Sequence, residues 1–189
     1  FSWSEEHQNL RDQTKTFAQE NLNKDIYGQD LRQEFPMEKW KACARFGIQS
    51  LATSSDYGGR SEEVDYLGAI YAMEGFGYGC QDNGLAFGLN AQMWTVQTPI
   101  EYFGTEEQKN KYLRTLCSGQ TIGAHALTEP GAGSDVFSML TTAQKTDGGY
   151  ILNGEKHLIS LAPICDFAIV FAKTNPSVGK WGISAFIVE

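Results

Sequence analysis

The first two thirds of the chain carry hydrophobic residues at the spacing of amphipathic helices. The face predicted for the first helix consists of Leu10, Phe17, Ala18 and Leu22. Ser2 and Glu5 have the spacing of a capping box, in which each side chain bonds the other residue's backbone amide. The chain is therefore predicted to open with a helix that buries one side.

Two further helices are predicted before residue 80. One begins near Pro36, a favourable first-turn residue, and ends at Gly47. After a loop at 52–60, Ser61 opens the next helix, and the glycine cluster at 75–79 is predicted to end it. The apolar stripe of this helix is expected to consist of Val64, Leu67 and Tyr71. Because the glycine cluster follows a helix rather than a strand, it does not indicate a dinucleotide-binding fold.

The segment from Leu85 to about Tyr102 is apolar and rich in small residues, which indicates the inner helix of a bundle. Thr105 and Gln108 then form a second predicted capping box, and Gly119 ends that helix. Its buried face is expected to consist of Tyr112, Leu113 and Leu116.

After Gly119 the hydrophobic period changes to that of strands. Strands are predicted at 121–127, 138–146, 150–152, 156–161, 166–173 and 181–188. A hairpin turn is predicted at Asn153–Gly154, and a further turn at Asn175–Pro176. Helices followed by strands predict an α+β chain: an all-α helical bundle over 1–118, then an antiparallel, barrel-like β-domain over 119–189.

Composition narrows the function classes. The net charge of −8 argues against nucleic-acid binding, and no apolar run reaches membrane-spanning length. The four cysteines are scattered and the three histidines lack metal-ligand spacing, so we expect reduced thiols, no metal site and a cytosolic setting. The first residues show neither an initiator Met nor a signal-peptide pattern, which suggests a trimmed or excised piece.

The loop from Leu127 to Asp135 has the features of an anion site. Glu129 precedes a proline and is pushed towards extended backbone, and two glycines around Ala132 then permit a sharp turn. Ser134 adds a hydroxyl, and successive amides in such a turn can hold a phosphate or pyrophosphate.

Residues 128–135 resemble the flavin-binding signature of the acyl-CoA dehydrogenase family. Further segments similar to family motifs occur in the family's order at 57–59, 102–109, 152–156 and 183–188. The resemblance covers most of the chain. It implies that the β-domain is incomplete here and that a C-terminal helical domain is absent from this chain.

The resemblance also implies FAD as the cofactor, lying between the β-domain and the helices. The residues that match its contacts are His125, Ala126, Leu127, Thr128, Gly133, Ser134, Leu158, Ile159 and Ser160. Ser134 is in addition expected to contact substrate. Ser160 stands where the family usually has Thr, whose hydroxyl faces flavin N5. Leu158 replaces a usual Trp and Leu161 a usual Asn, and these departures leave the electron acceptor and the substrate class open.

The implied reaction is α,β-dehydrogenation of an acyl thioester, with hydride transfer to flavin N5. The family's catalytic Glu lies in the C-terminal domain, so no catalytic residue is assigned in this chain. Glu129 and Asp135 are expected to serve the cofactor loop instead.

Three functions remain open: an acyl-CoA dehydrogenase of fatty acid metabolism, a dehydrogenase or oxidase of carrier-protein-bound acyl or aminoacyl groups, and a non-catalytic flavin-bearing scaffold. The expected acceptor is an electron-transfer flavoprotein or oxygen. A homotetramer is expected, in the cytoplasm or, in a eukaryote, in the mitochondrial matrix.

Overall fold

The computed structural model describes residues 3–189, which form two compact units, one up to Thr121 and one from Ile122 to Glu189. The first unit is helical and the second contains a sheet, which confirms the α+β prediction. The helices are α1 (Glu5–Asn21), α2 (Ile26–Arg32), α3 (Met37–Phe46), α4 (Tyr66–Gly79), α5 (Asn83–Gln92), α6 (Thr98–Phe103) and α7 (Glu106–Cys117).

Helix α1 begins two residues later than its predicted cap. Ser4 is the N-cap, and its hydroxyl accepts the His7 amide at 3.1 Å. Ser2 lies outside the described residues, and Glu5 is the first helical residue rather than the third. Leu10, Ala18 and Leu22 are buried as predicted, while Phe17 is half-buried and stacks on Phe46 of α3 with ring centroids 4.2 Å apart.

Helix α2 was not predicted. It has seven residues, none of them buried, so no hydrophobic period marks it in the sequence. Asp25 before it and Gln33 after it adopt left-handed backbone conformations with φ of 52° and 53°. Helix α3 runs from Met37 to Phe46 and ends at Gly47, as predicted.

Helix α4 differs from its prediction in where it starts and which face it buries. Its N-cap is Asp65, whose carboxylate accepts the Gly68 amide at 2.9 Å, whereas the Ser61 hydroxyl donates to the Glu63 carbonyl. Leu67, predicted in the apolar stripe, is 50% exposed. The buried face is made instead of Gly68, Ala69, Ala72, Met73, Gly75, Phe76 and Gly79.

Helix α4 ends at Gly79, the last residue of the glycine cluster that was predicted to end it, and residues 75–79 are themselves helical. A Cβ atom at Gly75 would collide with the Arg11 carbonyl oxygen, and one at Gly79 with that of Lys15. These two glycines therefore let the backbones of α1 and α4 approach closely. Helix packing therefore accounts for Gly75 and Gly79, a role that the sequence did not indicate.

The apolar segment before α7 is helical as predicted, but it is not one regular helix. A five-residue π-helical stretch, Met93–Gln97, separates α5 from α6. Leu85, Leu89 and Met93 are buried along this segment. The capping box at the start of α7 is confirmed, since both of its bonds between Thr105 and Gln108 are present.

The sheet is mixed rather than antiparallel, which corrects the prediction. Its strands are β1 (Gly123–Ala126), β2 (Thr142–Thr146), β3 (Gly149–Asn153), β4 (Phe167–Lys173) and β5 (Ile183–Val188). Strand β4 is central: it runs parallel to β1 and, at one pair of residues, to β2, and antiparallel to β5. Parallel pairing of β1 with β4 is possible because the long segment between them returns the chain to the same end of the sheet.

The hairpin predicted at Asn153–Gly154 is wrong. Strands β2 and β3 are instead joined at Asp147–Gly148, where Thr146 pairs with Gly149. A Cβ atom at Gly154 would collide with Thr141, so this glycine serves close packing as the chain leaves the sheet. Residues 156–161 form no strand, and the first part of the strand predicted at 138–146 is irregular.

Within residues 3–189, no helix is both long and apolar enough to cross a membrane. The same residues contain no group of three or more His, Cys, Asp or Glu side chains that could hold a metal ion. Cys43, Cys80, Cys117 and Cys165 are all free thiols, as expected.

Alanine substitutions in α4 test the close approach of α1. Gly75→Ala is expected to destabilise the protein by about 1–3 kcal/mol, because the added methyl group meets the Arg11 backbone. Gly77→Ala is the matched control: Gly77 is exposed on the same helix, and a Cβ there meets nothing within 4 Å. It is expected to stabilise the helix by about 0.5–1 kcal/mol. Urea unfolding of both variants measures the two effects, and equal effects would contradict the packing described.

Candidate functional site

The loop Leu127–Asp135, here called the signature loop, is built on a tight turn. The Glu129 amide donates to the Ala132 carbonyl, and the Ala132 amide donates to the Glu129 carbonyl, each at 3.1 Å. Pro130 and Gly131 occupy the two central positions of this turn, where both residues are favoured. Ala132 is buried and anchors the turn.

The part of the signature loop after Ala132 is open. A Cβ atom built on Gly133 meets nothing within 4 Å, so protein packing does not require a glycine there. Ser134 is exposed, and its hydroxyl bonds no other described residue. The arrangement fits the expected pyrophosphate contact, because a ligand group can approach the Gly133 backbone closely and accept a bond from Ser134.

The Glu129 side chain is buried beneath the signature loop, on the side of the loop away from solvent. One carboxylate oxygen accepts the Leu140 amide at 2.5 Å, and the other accepts the Thr141 amide at 3.0 Å. The second oxygen also accepts the Lys156 ammonium group at 2.9 Å. Glu129 therefore ties the loop both to the segment before β2 and to the segment after β3.

Burial alone would raise the pKa of Glu129, but the bonds from the Leu140 amide and from Lys156 outweigh it and lower the pKa to about 2. The carboxylate is therefore ionised at neutral pH. Such a fully bonded, weakly basic group is unsuited to removing a proton from a substrate. This agrees with the expectation that Glu129 serves the loop and is not a catalytic base.

Lys156 provides a second link between the cofactor segments. Its ammonium group also donates to the Leu127 carbonyl at 2.9 Å, and the next residue, His157, donates its amide to the Thr128 carbonyl at 2.9 Å. The structure thus brings the predicted segment 158–160 beside the start of the signature loop. The two sets of predicted contact residues are neighbours in space.

The first set of predicted contact residues, 125–128, lies at the end of β1 and directly after it. His125 and Ala126 lie on β1, which pairs with β4, and the His125 ring packs 5.0 Å from that of Phe171. Ala126 is buried, whereas Leu127 and Thr128 are half-buried after the strand ends. Ligands commonly bind where strands of this kind end, since backbone groups are free there.

The second set, 158–160, has an unusual backbone. Leu158 has φ of 54° and Leu161 has φ of 67°, so left-handed residues flank Ile159 and Ser160 on both sides. This conformation is uncommon for residues other than glycine, asparagine and aspartate. Asn, which the acyl-CoA dehydrogenase family usually has at position 161, adopts a left-handed backbone conformation more readily than Leu does. Leu158 is also 81% exposed.

Two half-buried hydroxyls in this region are available to a polar ligand. Thr128 and Ser160 form no side-chain hydrogen bond with any other described residue. Polar groups that are partly removed from water usually have a partner. Together with Ser134, they are the hydroxyl-bearing residues among the predicted FAD contacts.

Lys156, Leu140 and Thr141 were not predicted as part of the site. Lys156 was noted only as part of a family-like motif, and the two amides belong to residues without a distinctive pattern. A contact between positions 27 residues apart leaves no periodic signal in a single sequence. The available signal was the Glu129 carboxylate directly before Pro130 and the glycines of the signature loop.

Comparison with known families identifies the fold of both units. The family model of the acyl-CoA dehydrogenase N-terminal domain matches residues 4–120, and that of the acyl-CoA dehydrogenase middle domain matches residues 124–189. The chain belongs to the acyl-CoA dehydrogenase family. The resemblance noted in the sequence is thereby confirmed.

Several relatives within the family are similar over the whole chain. An L-prolyl-[peptidyl-carrier protein] dehydrogenase of Serratia sp. is 39% identical over 189 residues, which are 100% of this chain and 48% of that protein. The crystal structure of the prolyl acyl carrier protein oxidase AnaB has 44% identity and a TM-score of 0.93, covering 100% of this chain and 49% of AnaB. PigA with FAD and proline has 39% identity and a TM-score of 0.94, with the same coverage.

The chain spans about half the length of the curated relatives it matches. The PigA structure contains FAD, which agrees with the cofactor expected from the sequence. The individual contact residues of this acyl-CoA dehydrogenase family member stay predictions.

The low pKa of Glu129 makes its contribution to stability dependent on pH. A carboxyl group with a folded-state pKa near 2 and an ordinary value of 4.5 stabilises the fold above about pH 4.5, and this stabilisation is lost as the pH falls towards 2. The difference in unfolding free energy between the native protein and Glu129→Gln should therefore shrink by on the order of 2–3 kcal/mol between about pH 7 and about pH 3.

Urea unfolding across this range measures that difference. Glu155→Gln is the control, because it removes an exposed carboxylate from the same segment as Lys156. A difference for Glu129→Gln that does not change with pH would contradict the bonding described.

Proposed function

We propose that this chain forms the cofactor-holding part of an FAD-dependent enzyme that removes hydrogen from the α and β carbons of an acyl thioester. The observation that carries the proposal is the close pairing of the signature loop with segment 158–160 through Lys156 and His157. Each of these segments offers a hydroxyl that bonds no other side chain or backbone group among residues 3–189.

The chain's own residues bind and orient the cofactor. The open backbone at Gly133 and the Ser134 hydroxyl bind the pyrophosphate, and the Thr128 and Ser160 hydroxyls donate to the flavin. When bound, FAD supplies the capacity to accept a hydride at flavin N5. A hydroxyl near N5 stabilises the charge that develops there, which is the role assigned to Ser160. Ser134 is also proposed to contact substrate, as the family resemblance implies.

No residue of this site is assigned as the base. Glu129 is excluded by its low pKa and its bonds, and Asp135 is engaged with the Ser138 hydroxyl. We infer that the base is a carboxylate of a C-terminal helical domain. On this proposal, residues 1–118 are the N-terminal domain and 119–189 the first part of the middle domain.

The favoured substrate is an aminoacyl or acyl group bound to a carrier protein. The Serratia relative is named for a prolyl carrier-protein substrate, and AnaB is named for a prolyl acyl carrier protein. Leu158 and Leu161 depart from the usual family residues in the same segment, which favours a specialised substrate over a common acyl-CoA. An acyl-CoA of fatty acid metabolism is the second candidate.

The full-length enzyme loaded with FAD should discriminate between these substrates. We expect kcat/KM for prolyl carrier protein to exceed that for butyryl-CoA by about tenfold or more, because specificity reflects differential binding in the transition state. Each thioester is mixed with the enzyme over a range of concentrations, and the loss of flavin absorbance gives the rate of flavin reduction by that thioester. Faster turnover of butyryl-CoA would reverse the substrate assignment, and no reduction by either would favour a non-catalytic flavin-bearing scaffold.

The proposed electron acceptor is oxygen. Leu158 is 81% exposed and has no ring to cover a flavin, where the family usually has the larger Trp. AnaB, which is similar over the whole chain, is named an oxidase. An electron-transfer flavoprotein is the alternative acceptor. A homotetramer and a location in the cytoplasm or the mitochondrial matrix complete the proposal.

Reoxidation of the reduced enzyme tests the acceptor. The enzyme is reduced by substrate in the absence of oxygen and is then mixed with oxygen. The recovery of flavin absorbance gives the rate of flavin reoxidation. Leu158→Trp should slow this step severalfold, because an indole covers more of the flavin than leucine does. Ile151→Trp is the control, because Ile151 is an exposed aliphatic residue on β3 of the same unit, and it should leave the rate unchanged. Negligible reoxidation of the native enzyme by oxygen would contradict the proposal that oxygen is the electron acceptor.

A further inference from the structure

The ion pair between Glu129 and Lys156 is unusually well shielded from solvent for a pair that joins distant segments. Their side chains are 5% and 11% exposed, and the two residues lie 27 positions apart. The Arg11–Glu74 pair, which links α1 to α4, is different because Glu74 remains 44% exposed. The contrast separates the Glu129–Lys156 pair from ordinary surface ion pairs.

Stability alone does not account for this pair. Removing two charges from water is costly, and apolar side chains of similar size often stabilise a fold equally well. What apolar side chains could not reproduce is the set of directed bonds. Through them the pair holds the Leu140 and Thr141 amides and the Leu127 carbonyl at fixed positions.

The segment that follows Lys156 needs such a constraint. Leu158 and Leu161 both hold left-handed backbone conformations, which are unfavourable for leucine and persist only where the surroundings enforce them. The links that hold this segment at its start are the Lys156 ammonium group and the bond from the His157 amide to the Thr128 carbonyl. A bond from the Ile164 amide to the Leu161 carbonyl holds its end.

We propose that Glu129 and Lys156 are positioning residues that set the separation between the signature loop and segment 158–160. They thereby place the Ser134 and Ser160 hydroxyls to contact one FAD molecule. This inference rests on the proposed function and adds to it the residues that shape the cofactor site without touching the cofactor. Two loops held at a fixed separation bind a ligand more tightly than loops that must be ordered on binding.

The test compares Glu129→Gln, Lys156→Met and the double variant in the full-length protein. Each single variant leaves one buried charge or its partner groups uncompensated, so both should be destabilised. The double variant removes both charges and should therefore be more stable than either single variant. The double variant therefore distinguishes a stability role from a positioning role. Only the positioning role predicts that the double variant still binds FAD poorly.

Three quantities are measured for each protein: stability by urea unfolding, the FAD dissociation constant by flavin fluorescence, and the visible absorption spectrum at saturating FAD. We expect all three variants to bind FAD about tenfold or more weakly, and their flavin absorption bands to differ from those of the native holoenzyme even at saturation. Glu74→Gln is the matched control. It breaks an ion pair of the helical unit and should leave affinity and spectrum unchanged.

Native FAD affinity and a native spectrum in the double variant would overturn the inference and leave the proposed function standing. A loss of affinity that merely follows the loss of folded protein, with a native spectrum at saturation, would also overturn it. If the native protein itself does not bind FAD, the proposed function fails, and the inference fails with it.

Discussion

Burying a carboxylate is costly unless its oxygens are bonded, and the arrangement of the β unit around Glu129 depends on how these bonds are made. Its partners come from the segment before β2 and from Lys156 after β3. The buried side chain of Glu129 therefore joins the signature loop to both segments, while Gly133 and Ser134 of the loop are exposed. The loop is thus held in place by the bonds of Glu129 and keeps exposed backbone and hydroxyl groups, a combination suited to binding a large polar cofactor.

The helical unit has a different basis. Its close packing depends on the absence of side chains at Gly75 and Gly79, which lets α1 and α4 approach. Backbone atoms in such contacts tolerate little extra volume. The two units thus use opposite solutions: small residues without polar groups in one, and a charged side chain with all its bonds made in the other.

Local signals in the sequence predicted much of this structure. Helical periodicity located α1, α3 and α7, and the bonds of the Thr105–Gln108 capping box formed as predicted because both partners lie within one turn. Contacts between distant segments could not be predicted in this way. The parallel pairing of β1 with β4, the Glu129–Lys156 pair and the left-handed conformation of Leu158 all depend on tertiary packing. The hairpin prediction failed for the same reason, since Gly154 packs on Thr141 instead of forming a turn.

The most direct test of the account is a crystal structure of the full-length protein with FAD. The account predicts one FAD molecule that contacts the Ser134 hydroxyl at its pyrophosphate and the Ser160 hydroxyl at its flavin ring, with the Glu129–Lys156 bond intact beneath it. An FAD molecule that contacts neither the signature loop nor segment 158–160 would contradict the account. So would one bound in this place with Glu129 and Lys156 apart.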